Sequence, residues 1–156
     1  MSRKYVFFVL TGYQLTWITC IVGEIFNLPF IGFFIGLIYL SFFFYNQSNL
    51  IRALKIILIF AIIGYSFDSL MNLLNIYNFK SKLFVGYLPI WLVVLWLSFA
   101  TLFVDLLNFL KTRPYSAILL GIILAPPTYY AGMPLGILEI NNIIYFFITM
   151  IIFWGL

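Results

Sequence analysis

The 156-residue chain contains only four carboxylic acids, Glu24, Asp68, Asp105 and Glu139, and each lies within or at the edge of a long apolar run. An Asp at the centre of a membrane helix costs about 2.5–3.5 kcal/mol on insertion scales. Such a group faces the bundle interior, where it either serves a site or hydrogen-bonds across helices. Asp68 is the strongest single signal. It sits about eight residues before the outer end of its span, roughly 12 Å deep at 1.5 Å per residue. Tyr65, Asn72 and Asn75 share its face at helical spacing. Glu24 shares a face with Trp17, Cys20 and Asn27, with Gln14 nearby, and suits either the interface or a site. Cys20 reads as a small packing residue. Asp105 aligns with Ser98, Thr101, Asn108 and Thr112, and the neighbouring Lys111 and Arg113 offer a snorkelling ion pair as the simpler account. Glu139 opens the last span, where the helix dipole alone favours an acid.

Three of these acids, Glu24, Asp68 and Glu139, gather in the outer half, together with Thr128, Tyr129 and Tyr130. The expectation is an outward-facing polar pocket centred on Asp68, with Trp17 and Glu24 converging at a similar depth. Its candidate ligand-binding residues are Gln14, Trp17, Glu24, Asp68, Asn72, Tyr130 and Glu139. The chain has no His and a single Cys. That excludes a disulfide framework, a Cys/His metal site and His-dependent hydrolysis. No catalytic residue, metal or cofactor is expected. An intramembrane enzyme would need Asp68 and Glu24 as acid and base, unsupported by a His, a Cys pair or a Ser-Lys context.

The elements that must position these residues follow from composition. Hydrophobic residues make up 65% of the chain and charged residues 8%, against roughly 45–50% and about 25% in a soluble domain. Soluble, disordered, fibrous and nucleic-acid-binding classes are excluded, and the net charge of +4 is an orientation signal. A span needs about 20 mostly apolar residues. The pattern predicts an all-α integral membrane bundle of six transmembrane helices in one domain, 1–156. The spans run over about 5–24, 29–45, 52–76, 88–110, 115–130 and 138–156. Pro126, Pro127 and Pro134 interrupt the last two, which leaves five spans as the fallback. No A-x-A cleavage site follows the basic N-terminus, so the first span is read as uncleaved. Arg3, Lys4, Arg52, Lys55, Lys111 and Arg113 fall on one side and only Lys80 and Lys82 on the other. The bias predicts cytoplasmic N- and C-termini in a multi-pass inner-membrane protein. Gly32-x-x-x-Gly36 predicts a close helix contact on the second span.

Several ordered motifs together resemble a family of small polytopic bacterial inner-membrane proteins known only as a domain of unknown function. They are Gln14-x-x-Trp17-x-x-Cys20-x-x-Gly23, Pro29-x-x-Gly32, Gly64-x-x-x-Asp68-Ser69-Leu70, Pro89-x-Trp91-Leu92-x-x-Leu95-Trp96-x-x-Phe99-Ala100-Thr101, and Pro126-Pro127-x-x-Tyr130-Ala131-Gly132-x-x-Leu135-Gly136. Near Asp105, where the family often carries a His, this chain has none. The resemblance implies a multi-pass inner-membrane location and gene neighbourhoods for fatty-acyl lipid modification, but no activity. Two main functions compete. One is a non-catalytic protein that binds membrane lipid or another amphiphile, as accessory to a lipid-modifying enzyme. The other is a small transporter or substrate-binding subunit, proton-coupled or similar in outline to vitamin-importer capture subunits.

Overall fold

Two asparagines in the left-handed region close the two longest helices. The computed structural model describes residues 3–155, without the side chains of residues 108, 109 and 111. Helix α1 (Arg3–Ile25) ends where Asn27 adopts φ 58°. There the Leu28 N–H donates to the Gly23 carbonyl at 2.6 Å and the Asn27 N–H to Glu24 at 3.0 Å. Helix α3 (Leu50–Leu73) ends the same way around Asn75 at φ 55°, with the Ile76 N–H on the Met71 carbonyl at 3.0 Å. Both are Schellman turns, which satisfy carbonyls that a helix end otherwise orphans. Pro29 starts α2 (Pro29–Tyr45) at a position where its missing N–H costs nothing. Asn49 starts α3 by accepting the Arg52 N–H at 2.9 Å.

Helix α4 (Ile90–Val104) is the buried axis, and α1, α2 and α3 pack around it. Small residues set the spacing. A Cβ on Gly32 would lie 2.4 Å from the Cys20 Cα, so α2 meets the α1 backbone directly. A Cβ on Gly36 would instead meet the Val94 and Thr16 side chains at 2.6 and 2.9 Å. The Gly32–Gly36 face is therefore a packing surface, as its spacing predicts.

Helices α5 (Pro114–Tyr130) and α6 (Ile143–Gly155) pair with each other and are fastened to the rest by rings. Phe67 of α3 stacks on Phe153 at 3.8 Å, and Trp96 of α4 stacks on Trp154 at 6.0 Å. Two small antiparallel sheets gather at one end of the helices. Strand β1 (Tyr77–Phe79) pairs with β4 (Leu138–Ile140), Asn78 opposite Glu139. Strand β2 (Phe84–Val85) pairs with β3 (Leu88–Pro89) around Gly86 at φ 63°. This strand end carries Lys80 and Lys82, the two lysines separated from the other basic residues by the charge count.

Three segments depart from the sequence reading. The stretch Leu138–Ile140, expected to open the sixth span, is strand, and α6 begins only after Asn142 accepts the Ile144 and Tyr145 N–H groups at 3.2 and 3.1 Å. The fourth span stops at Val104, and a 3₁₀ helix (Leu106–Thr112) continues the chain. Pro126 and Pro127 lie inside α5 and do not end it; the Ala131 N–H still reaches the Pro127 carbonyl at 2.9 Å. Two helices, α1 and α3, are long and apolar enough to cross a membrane. The shorter α2, α4 and α6 are also apolar.

Candidate functional site

Two hydrogen-bonded clusters lie toward the strand end, one around Asp68 and one around Glu24. Asp68 is fully buried on α3. The Tyr77 hydroxyl donates to its Oδ1 at 2.6 Å and the Trp96 Nε1–H to its Oδ2 at 2.7 Å. The Tyr129 hydroxyl bridges both oxygens at 3.0 and 3.1 Å. The donors come from β1, α4 and α5, so one carboxyl ties four elements together. Gly64, one turn earlier on α3, makes this possible. A Cβ there would lie 2.3 Å from the Trp96 ring, so only a bare backbone lets the indole lie flat and reach Asp68. Tyr77 packs edge-on against Phe79, Tyr129 and Phe146, which excludes water from the cluster. Burial and the adjacent carboxylate push the Tyr77 phenol well above its usual range, so it stays protonated and donating.

Glu24 lies on the last turn of α1 and is 8% exposed. Ser81, in the loop after β1, donates its hydroxyl to Oε2 at 3.1 Å. The exposed Lys82 attracts the same carboxylate without forming an ion pair. Trp91, in the first turn of α4, directs its buried Nε1–H at the same carboxylate in a geometry short of a well-formed hydrogen bond, and the N–H has no other partner. The Phe79 ring packs against both Trp91 and Tyr77 and stands between the two clusters. Asp68 and Glu24 thus occupy separate networks, and the expected convergence around Asp68 does not occur.

The remaining candidates are dispersed. Gln14 is exposed on the α1 surface, and Trp17 is half-buried outside both clusters. Asn72 donates to the Tyr87 carbonyl at 2.8 Å and accepts from Asn78 at 2.7 Å, in a chain that continues through Asn141 to Asn75. That chain holds β1 to the end of α3. Tyr130 is exposed and stacks on Phe147; its neighbour Tyr129 is the residue that reaches Asp68. Glu139 sits on β4, not in a helical first turn, and pairs with Lys80 at 3.0 Å. Asp105 accepts from the Tyr5 hydroxyl at 2.9 Å, and Tyr5 in turn accepts from Gln47. Among the described residues no group of His, Cys, Asp and Glu could hold a metal ion.

Sequence reasoning placed Tyr129 in the outer cluster but chose Tyr130 as the candidate, and it missed Tyr77 and Trp96 as partners of Asp68, and Ser81 and Trp91 as neighbours of Glu24. One signal was available for the first group: Gly64 stands one helical turn from Asp68, and such a gap invites a flat ring from a neighbouring helix.

These features define a predominantly helical protein with two helices long and apolar enough to cross a membrane. Residues 6–156 match the family described as protein of unknown function DUF2878, and the chain belongs to that family. The match agrees with the uncharacterised family that the motifs resemble. No curated protein and no solved structure matches the chain.

Proposed function

We propose that this is a multi-pass protein of the bacterial inner membrane that binds an amphiphile, without chemistry, in an outward-facing notch around Glu24, as accessory to a lipid-modifying enzyme. The six helices form the bundle, both termini are cytoplasmic, and the strand end faces outward. The observation that carries the reading is the Trp91 Nε1–H, 2% exposed as a residue, whose approach to the Glu24 carboxylate falls short of a well-formed hydrogen bond and which has no other partner. A buried donor left unsatisfied costs about 1–3 kcal/mol, and a headgroup oxygen entering the notch would recover that cost. The surroundings support the same reading. Phe26, Phe84 and Tyr87 are exposed at this end, where aromatic side chains suit the boundary between headgroups and acyl chains. Large apolar side chains such as Phe7, Phe34, Ile59 and Ile144 cover the helix exteriors, a surface suited to lipid and not to water.

In this reading Asp68 supports the notch and takes no part in binding. Its oxygens are occupied by donors, and it holds α3, α4, α5 and β1 in place. Native mass spectrometry of gently extracted protein tests the function. A co-purified amphiphile is expected on the wild-type chain and should be depleted on Trp91→Phe, which keeps the ring and removes the N–H. Wild-type protein that carries no amphiphile overturns the proposal.

A further inference from the structure

We infer a second lipid site at the other half of α1: the groove between α1 and α2 holds an acyl chain of an anionic phospholipid, whose phosphate meets Lys4. The inference uses the membrane reading but not the Glu24 notch, which lies at the opposite end of the helix. The groove offers about 350 Å³, within the roughly 300–1,000 Å³ of small-ligand sites. Phe8, Thr11 and Leu15 of α1 line one side, and Ile35 and Ile38 of α2 the other. Its shape is fixed from behind. A Cβ on Gly12 would lie 2.2 Å from the Tyr39 ring, so that ring is seated on bare backbone. The Tyr39 hydroxyl shares a hydrogen bond with Thr101 at 2.7 Å, and the Phe8 ring leans on Tyr39 at 5.9 Å. Tyr39 therefore does not swing out to fill the space.

Two polar groups say what the occupant carries. Thr16, Thr19, Ser41, Thr128 and Thr149 each bond back to the carbonyl four residues earlier, the usual resort of a hydroxyl within a helix. Thr11 is half-buried in the groove and makes no hydrogen bond among the described residues, which leaves it a donor for an ester carbonyl. Lys4 stands on the same line of α1 as Phe8, Thr11 and Leu15, one turn beyond the groove. It is exposed and makes no ion pair among the described residues. Thr11 and Lys4 are about 10 Å apart along the axis, and a lysine stem carries its ammonium outward to the headgroups. Apolar trough, donor and cation thus follow the order of chain, ester and phosphate. A second copy of this chain fits less well, because it has no free acid for Lys4. Glu24 and Asp68 are buried, Asp105 accepts from Tyr5, and Glu139 pairs with Lys80.

The test places the full chain in phosphatidylcholine vesicles with a trace of phosphatidylglycerol bearing a photoactivatable diazirine on its acyl chain. A parallel sample carries the same trace of diazirine-bearing phosphatidylcholine, and crosslinked peptides are mapped by mass spectrometry. Labelling by phosphatidylglycerol should concentrate on residues 7–15 and 35–39. There it should exceed labelling by phosphatidylcholine about fivefold, the weight of one cation at a headgroup. Lys4→Ala should remove the excess, whereas Arg52→Ala, also basic and exposed at that end but on α3, should keep it. Ile38 is 57% exposed, so Ile38→Trp fills the groove without disturbing the core and should suppress labelling there by both lipids. Trp91→Phe should leave groove labelling unchanged. Labelling spread evenly around the helices would mean unselective surrounding lipid and overturns the inference. So does an Arg52→Ala protein that loses the excess as fully as Lys4→Ala, which would mean a general pull of the basic end. Neither outcome touches the Glu24 reading, which the Trp91→Phe comparison of co-purified amphiphile decides separately.

Discussion

Asp68 accepts from Tyr77, Trp96 and Tyr129, so deleting its side chain leaves three buried donors facing one another. Each orphaned group costs about 1–3 kcal/mol in a protein interior, although hydrogen bonds between membrane helices average nearer about 0.6 kcal/mol. Even the lower figure, applied to three donors, predicts a clear loss for Asp68→Ala. Tyr77→Phe should cost less, because Oδ1 still accepts from Tyr129 at 3.0 Å. Melting in detergent followed by circular dichroism should rank wild type above Tyr77→Phe, and Tyr77→Phe above Asp68→Ala. At about 2–4 °C per kcal/mol for a chain of this size, the second step is several degrees. An Asp68→Ala protein that melts with wild type would show that the cluster is not a fastener. Its companion measurement separates support from binding: Asp68→Asn, which keeps one acceptor oxygen, should be destabilised yet still retain lipid.

Packing between the helices depends on what stands opposite each glycine. Opposite Gly32 is Cys20 backbone, which cannot yield, whereas opposite Gly36 are the Val94 and Thr16 side chains. Overpacking costs about 1–3 kcal/mol, so Gly32→Ala should lower the melting temperature more than Gly36→Ala. Equal effects would mean that α1 and α2 slide apart without cost. Gly64→Ala acts differently, by pushing the Trp96 ring off α3 and breaking its bond to Asp68. Its effect should therefore overlap with that of Trp96→Phe, and the double variant should lose less than the sum of the two. These contacts also show what a sequence carries. The Gly32–Gly36 face and the apolar runs that became α1 and α2 were legible because each is a local pattern. Strand β4 was not, because three residues of Leu-Glu-Ile become a strand only through Tyr77–Phe79, far earlier in the chain. The choice between Tyr129 and Tyr130 was equally hidden. Adjacent helical residues point about 100° apart, and only the placement of α5 against α3 decides which hydroxyl meets Asp68.

For the whole molecule, the strand layer and the charge distribution bear on orientation from independent directions. At 1.5 Å per residue, α1 is about 34 Å long and α6 about 20 Å, against a hydrocarbon core of about 30 Å. Helix α6 starts at the strand end, directly after β4 and Asn142, so its shortfall lies at the opposite end. A two-stranded ribbon cannot sit exposed in hydrocarbon, because its edge N–H and C=O groups would be unsatisfied. In the proposed membrane orientation the strands therefore lie at headgroup level, with Lys80 and Lys82 beyond them. The opposite end carries Arg3, Lys4, Arg52, Lys55 and Arg113, a surplus that supports the proposed cytoplasmic placement of that end. The prediction concerns single cysteines on a Cys20→Ser background, labelled with an impermeant maleimide in cells whose outer barrier is permeable to it. Lys82→Cys, exposed at the strand end, should react in intact cells. Ser48→Cys and Thr112→Cys, exposed at the other end, should react only after lysis. Labelling in the reverse order would turn the bundle over and place the Glu24 notch in the cytoplasm. Labelling of all three sites in intact cells would mean that the chain does not span the membrane at all.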